Sequence, residues 1–387
     1  MHTPTLRFPD ELPRERFLDE FWQKKPALIR NSFSAETFDI SPDELAGLAC
    51  EEEIESRLIA ETEENGWSLR HGPFDEKDFN DLPESHWTLL VQDVDKHVPE
   101  VAALLDAFAF LPDWRLDDIM ISYASDQGGV GPHTDSYDVF LMQTYGQRRW
   151  RISERRYTQA DLLPNSPVKV LRDFQTDSDM LLSPGDMLYL PPNVAHWGTA
   201  AGECMTWSLG MRGPSDAELL AAWLEQLPLG ADRPHLKDRI DSRTQQTSLI
   251  TSKDLDQIRS VMTRALPEND ATFRRWAGCH LTDPKPGFEI PPDDIDTSLV
   301  LRRWFDGAIE LRRHPWARFA LVQLDQVTFA LCSQGEALEY PGKYRNLLER
   351  ICQSRRMPFS RFSDFDRVQL SSTISGILKR GWLYVDE

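Results

Sequence analysis

Residues 130–152, VGPHTDSYDVFLMQTYGQRRWRI, constrain this chain more than any other stretch. His133 and Asp135 stand two positions apart. In extended backbone, side chains at that spacing leave the same face, so an imidazole and a carboxylate can converge on one point. A third donor, His196, follows 63 positions after His133, within the run LPPNVAHW. Ahead of it, Pro184-Gly185-Asp186 makes a tight turn, Met187-Leu188-Tyr189-Leu190 a short apolar strand, and Pro191-Pro192 a rigid stop. A histidine directly after such a strand sits at a strand end, where a small barrel opens. Two histidines and one carboxylate on one face of an octahedron leave three positions open, the arrangement that non-haem Fe(II) oxygenases use. A His-x-Asp pair alone is a weak signal; the turn, strand and stop before His196 give it weight.

Arg148 strengthens that reading. Tyr145-Gly146-Gln147 can turn the chain, and Arg148-Arg149-Trp150-Arg151-Ile152 then alternates. Arg148 shares a face with Trp150 and Ile152, whose apolar rings and branches belong in a barrel interior. Breaking a buried ion pair costs about 3–5 kcal/mol, so some anion must meet the guanidinium. Two partners suit it: the carboxylate of a dicarboxylate co-substrate gripped by the planar fork, or an internal Asp or Glu.

With 387 residues the chain has room for two or three domains and a substantial core. No stretch approaches the roughly 20 uninterrupted apolar residues of a membrane span. The N-terminal run MHTPTLRFPDELPRERF has neither an apolar core nor a cleavage pattern, and the five cysteines form no C-x-x-C pair. Both features point to a reducing, cytoplasmic setting. The net charge is −20, and residues 281–387 carry 15 basic and 15 acidic side chains, so the whole excess lies in the first 280. Such a field favours a basic partner and disfavours nucleic acid, although solubility alone would account for it.

Along the chain, residues 10–25 carry a helical apolar stripe with Asp10 as cap, and Ala27-Leu28-Ile29 begins a strand. Ser41-Pro42-Asp43-Glu44 is a helix start, with cap, N1 proline and acidic first turn. Short strands are expected near 56–61, 66–70, 87–92 and 118–125, with a helix over 98–109. Strand density continues to about 212, which suggests an antiparallel barrel with helical decoration. Beyond Gly213-Pro214, helical patterns occupy a segment capped by Ser215, then 253–266 and 268–279. A bundle of that kind can bury its stripe against a second copy of the chain or against its own. Residues 284–294 form a Pro- and Asp-rich linker. A hairpin over 318–340, helices near 342–353 and 366–380, and a terminal strand then suggest a winged-helix-like module. Its balanced charge argues against DNA.

The pieces GVGPHTDSYDVFLMQTYGQRRWRI, SPGDMLYLPPNVAHWG and FLDEFWQKKPALIRNSF resemble the JmjC ribosomal oxygenases, and within them the bacterial arginine hydroxylases of a large-subunit ribosomal protein. The resemblance implies an α+β chain in three parts. These are a double-stranded β-helix (cupin/JmjC) catalytic domain over 1–212, a helical dimerisation domain over 213–283 and a winged-helix-like domain over 284–387. It implies Fe(II), 2-oxoglutarate and dioxygen as cofactor and co-substrates, a basic ribosomal protein of the large subunit as partner, and a homodimer. Residue by residue, it implies His133, Asp135 and His196 as metal ligands and Arg148 as the base for the far carboxylate of 2-oxoglutarate. Ser122 is implied as a further co-substrate contact, and Asp126 and Tyr145 as walls of the pocket for the substrate arginine. A carboxylate and an aromatic ring suit a guanidinium and its stem. A histidyl hydroxylase or demethylase of the same fold, and a non-enzymatic metal-binding cupin regulator, remain as alternatives.

Overall fold

A computed structural model describes residues 5–34, 37–38, 40–62, 66–226, 252–265 and 270–386. Position 266 and positions 268–269 of the expected helices lie outside the described residues. Cα proximity divides the chain into two compact units, residues 1–213 with His314–Trp316, and Pro214–Arg313 with Ala317–Glu387.

Among the described residues of the first unit, antiparallel strands form a nine-stranded sheet. They are β1 (Ala27–Ile29), β2 (Ser56–Thr62), β3 (Gly66–His71), β4 (Trp87–Val91), β5 (Leu116–Ala124), β6 (Val139–Ser153), β7 (Ser178–Leu182), β8 (Met187–Leu190) and β9 (Ala195–Met211). Their order is β1-β8-β6-β9-β5-β4-β2-β3, with β7 beside β6. The two longest strands explain how one sheet closes on itself. The first half of β6 pairs with β8 and the second half with β7, while β9 follows β6 from Gly210 opposite Val139 to Ala195 opposite Ser153. This is a double-stranded β-helix, with β5 and β4 continuing the wall beside β9.

Alternation along β9 sorts its side chains. Met205, Trp207, Leu209 and Met211 are buried in the outer core with Phe17, Phe108, Phe140 and Tyr189. Thr206, Ser208 and Gly210 face an internal cavity. Burying each large outer-core ring contributes about 1.5–3 kcal/mol, so this face anchors the barrel wall. At the start of β6, buried Asp138 accepts from the Tyr189 hydroxyl at 2.5 Å and from Arg115 Nη2 at 2.8 Å. That knot fixes the backbone three residues after Asp135.

Local signals set several elements. Ser41 and Glu44 form a reciprocal capping box with Pro42 at N1, as the sequence demands of the helix Pro42–Leu48. The first helix is shorter than expected: it runs Arg14–Glu20 from Pro13, with no side-chain cap. The stretch 98–109 is one α-turn, Pro99–Ala102, that tightens into the 3₁₀ segment Ala103–Phe108. The expected turn at Tyr145-Gly146-Gln147 does not form. The backbone stays in β6, with an extra β6 residue bulged before Tyr145 and extra β9 residues bulged after it. Gly146 takes φ +58°, and a Cβ there would run into the Glu203 carbonyl.

In the second unit, helices occupy Asp216–Gln226, Ser252–Ala265, Asp270–Leu281, Thr297–Phe305, Arg345–Cys352 and Arg367–Leu378. The expected hairpin is a three-stranded meander: β11 (Ala320–Gln323), β12 (Thr328–Ser333) and β13 (Glu336–Pro341), after β10 (Glu310–Arg313). Strand β10 lies between β14 (Arg356–Met357) and β15 (Leu383–Asp386), giving the small sheet of a winged-helix-like module. Gly278 lets the helix Asp270–Leu281 approach this unit's meander, since a Cβ would stand 2.6 Å from both Cys332 Sγ and Val322.

Candidate metal centre and cavity

His133, Asp135 and His196 come together at one end of the barrel. His133 N donates to the His196 carbonyl at 3.0 Å, and His196 N donates back at 2.9 Å. This antiparallel bridge holds the two rings 4.2 Å apart between centroids. Asp135 Oδ2 lies 3.8 Å from His133 Nε2 and 3.6 Å from His196 Nε2. One ligand atom from each residue falls within 4.8 Å of the others, a spacing that suits donors around one ion.

The protonation pattern suits a metal as well. His133 Nδ1 is 3.0 Å from the Gly131 carbonyl, and His196 Nδ1 is 2.9 Å from the Val194 carbonyl. In each ring, Nδ1–H therefore donates to backbone two residues upstream and Nε2 keeps its lone pair for the shared point. Burial, followed by the neighbouring His133, pushes the His196 imidazole well down, so it stays neutral and available as a ligand. A d-block divalent cation with some affinity for imidazole fits this donor set.

The three residues line a cavity of about 540 Å³ together with Ser122, Arg148 and Trp150. Arg148 is 3% exposed, with Trp150 and Ile152 each 4% exposed on the same face of β6. Its guanidinium donates to Ser122 Oγ at 3.5 Å and to the Gly198 carbonyl at 3.3 Å, and it lies 5.1 Å from the Trp150 ring centre. Gly198 has no side chain because a Cβ would meet Arg148 Nε at 2.8 Å. Among the described residues no carboxylate pairs with Arg148, so the internal-partner alternative falls. Its Nε and the neighbouring Trp150 Nε1 are buried and lack a hydrogen-bond partner. Burial pushes the guanidinium down, and only an incoming anion would reverse that cost. Ser122 is buried on the cavity wall, with Oγ also donating to the Thr206 carbonyl at 3.3 Å.

Asp126 and Tyr145 lie outside this cavity. Strand β5 ends at Ala124, and the chain turns through Gln127 at φ +60°, with Gly128 N donating to the Ser125 carbonyl at 2.8 Å. Asp126 is thereby exposed and accepts from Gly202 N at 2.7 Å. Tyr145 sits between the two bulges and is 49% exposed. Neither lines the cavity.

Besides the Asp135 carboxylate, the Asp118 carboxylate and the Tyr137 phenol line it. Asp118 is buried, accepting from Gln92 Nε2 and from Asp93 N at 3.3 Å, while Arg57 Nη2 holds the Gln92 amide oxygen at 3.0 Å. Burial, then the Asp135 and Asp118 carboxylates, push the Tyr137 phenol up, so it stays protonated. Period-two spacing carried a signal for both: Asp118, Met120 and Ser122 share a face of one strand, and Tyr137 follows Asp135 by two.

Comparison with known proteins agrees with this architecture. The JmjC domain family matches residues 103–219, and the ROXA-like winged helix family matches residues 263–384. The chain is 36% identical over 293 residues to the ribosomal protein uL16 3-hydroxylase of Escherichia coli, spanning 75% of each chain. It is 34% identical over 269 residues to a probable ribosomal oxygenase of Haemophilus influenzae, spanning 68% of this chain and 66% of that one. The structure of the Escherichia coli ribosomal oxygenase YcfD in complex with cobalt and 2-oxoglutarate superposes with a TM-score of 0.81 at 29% identity, covering 99% of this chain and 100% of that one.

Proposed function

Because the chain belongs to the JmjC ribosomal oxygenases, we propose that it hydroxylates an arginine side chain of the large-subunit protein uL16, using Fe(II), 2-oxoglutarate and dioxygen. The observation that carries this reading is Arg148, a buried cation without a carboxylate partner on the wall of the cavity that holds the His-Asp-His triad.

In this reading His133, Asp135 and His196 hold the iron. With both co-substrates bound, the iron supplies the oxidising power to insert oxygen into an unactivated C–H bond, which no side chain here could supply. Arg148 would hold the distal carboxylate of 2-oxoglutarate, with Ser122 Oγ steadying the guanidinium at 3.5 Å. The fixed guanidinium sets the keto acid's direction before reaction, and Trp150 closes that side to water. Asp118 and Tyr137 receive the substrate: the carboxylate accepts from the arginine guanidinium and the ring flanks its stem. A cationic side chain suits that pair better than a neutral imidazole, which favours arginine over histidine.

A basic ribosomal protein also suits the excess of negative charge in the first 280 residues. Apolar side chains left exposed on the helices of the second unit, Leu220, Leu224, Leu255, Ile258 and Phe273, support a homodimer formed through them. No helix among the described residues is long and apolar enough to cross a membrane. The deciding experiment incubates the protein with Fe(II), 2-oxoglutarate and a uL16 peptide, then localises any added oxygen by fragment-ion mass spectrometry. An added oxygen on arginine is expected. An added oxygen on histidine, or loss of a methyl group, would overturn the substrate assignment.

A further inference from the structure

A second concavity of the first unit, about 890 Å³, lies outside the metal cavity and carries a larger excess of cations. Lys24, Lys25, Arg155 and Arg156 line it, against the single carboxylate of Glu154. This is a local cationic excess in a chain of net charge −20.

These cations are incompletely neutralised. Among the described residues the Lys24 ammonium meets the Asp19 carbonyl and no carboxylate, and Lys25 stands 3.9 Å from Glu20. Arg155 pairs with Asp161 at 3.1 Å, whereas exposed Arg156 has no carboxylate partner among the described residues. An aromatic platform stands beside them. Tyr157 lines the groove, lies 4.9 Å beneath Arg155 and stacks on Phe174 with an interplanar angle of 10°.

We propose that this groove binds the phosphate backbone of single-stranded RNA, with a base stacked beside Tyr157. Four cations along one concave track suit a run of phosphates, and an aromatic face next to an arginine suits an unpaired base. A carboxylate peptide would use the charges and leave the ring idle. The groove is also placed to matter for the metal site. Its wall includes residues 191–194, which lead directly into His196, and Ile152, which pairs across from His196. RNA held there would lie against the strand end that carries a metal ligand. This inference goes beyond the proposed hydroxylation and stands independently of it.

The test measures fluorescence anisotropy of a labelled 20-nucleotide uridine-rich RNA against the full iron-loaded chain, between 50 and 200 mM salt. Four phosphate contacts on a single strand give a salt slope of about −2.8, which is roughly a 50-fold loss of affinity over that range. Arg156→Gln should lower the slope by about 0.7. Lys24→Glu with Arg156→Glu should abolish measurable binding while the thermal unfolding temperature, which reports folding, stays at the wild-type value. Tyr157→Ala should weaken binding at every salt concentration without changing the slope. No binding at 50 mM salt overturns the proposal, as does binding that survives the double charge reversal. Equal affinity for poly-glutamate also overturns it, by showing that the groove is built for acidic peptides.

Discussion

Arg148→Met separates a co-substrate anchor from a structural cation, because the two roles predict opposite signs. The wild-type guanidinium is buried with two weak neutral contacts, at 3.3 and 3.5 Å, and an Nε that has no partner. In the absence of 2-oxoglutarate it is a charge held out of water with little return. Replacing such an ion by an apolar group of similar length is neutral or stabilising by about 1–4 kcal/mol. In a unit of this size each kcal/mol moves the melting temperature by about 2–4 °C. The variant without ligand should therefore melt at or above the wild-type temperature. Toward 2-oxoglutarate the sign reverses. Truncating one partner of a buried, hydrogen-bonded charge pair costs roughly 2–5 kcal/mol, a roughly 30- to 3,700-fold weaker affinity. At 100 Kd of co-substrate the wild type gains about 2.7 kcal/mol of stability, and the variant should lose nearly all of that shift. Thermal unfolding across a 2-oxoglutarate titration, with turnover measured in parallel, reads both effects. A variant that melts several degrees lower without ligand, yet binds 2-oxoglutarate as before, would refute the anchor.

Four further outcomes test other parts of the molecule. Asp135→Ala should abolish both turnover and stoichiometric iron content, since the remaining donors are two imidazoles; metal analysis of the purified variant checks this directly. Asp118→Asn should raise the KM for an arginine peptide about 10- to 140-fold, as expected for losing about 1.5–3 kcal/mol of charge-assisted bonding, whereas Asp126→Asn should stay within about twofold. Burial lowers the His314 pKa from 6.5 to about 4, so the unfolded chain takes up a proton that the folded one refuses. Stability from this group is present above pH 6.5 and falls as the pH drops toward 4; the acid limb of a pH-stability curve should flatten in His314→Gln. Leu224→Asp with Leu255→Asp should halve the mass seen by light scattering, and an unchanged dimer would place the interface elsewhere.

What the sequence revealed, and what it hid, follows from which features depend on neighbouring residues alone. The His133–Asp135 pair needs only two-residue alternation, and the turn, strand and stop before His196 are local chemistry. Arg148 was legible because Trp150 and Ile152 share its face and have nowhere to go but inward. The turn expected at Gly146 failed because a positive φ satisfies a bulge as well as a turn, and the choice rests with the partner strand. Here β9 runs alongside β6 from end to end, so the sheet kept the residues and Tyr145 swung outward.

Asp126 illustrates the same limit from the other side. Had β5 continued past Ala124, strict alternation would have aimed Asp118, Ser122 and Asp126 into one cavity. The strand instead ends at Ala124, so Asp126 falls in the turn that Gln127 completes at φ +60° and never joins that face. Asp118 then becomes the carboxylate that shares the cavity with Ser122. Its place is set by β5 lying between β4 and β9, a pairing over residues far apart in the chain. Metal ligands can be read from short spacings because one ion gathers whatever donors a strand end presents. A substrate carboxylate must instead be aimed across a cavity, and its direction is fixed only when distant strands choose their register.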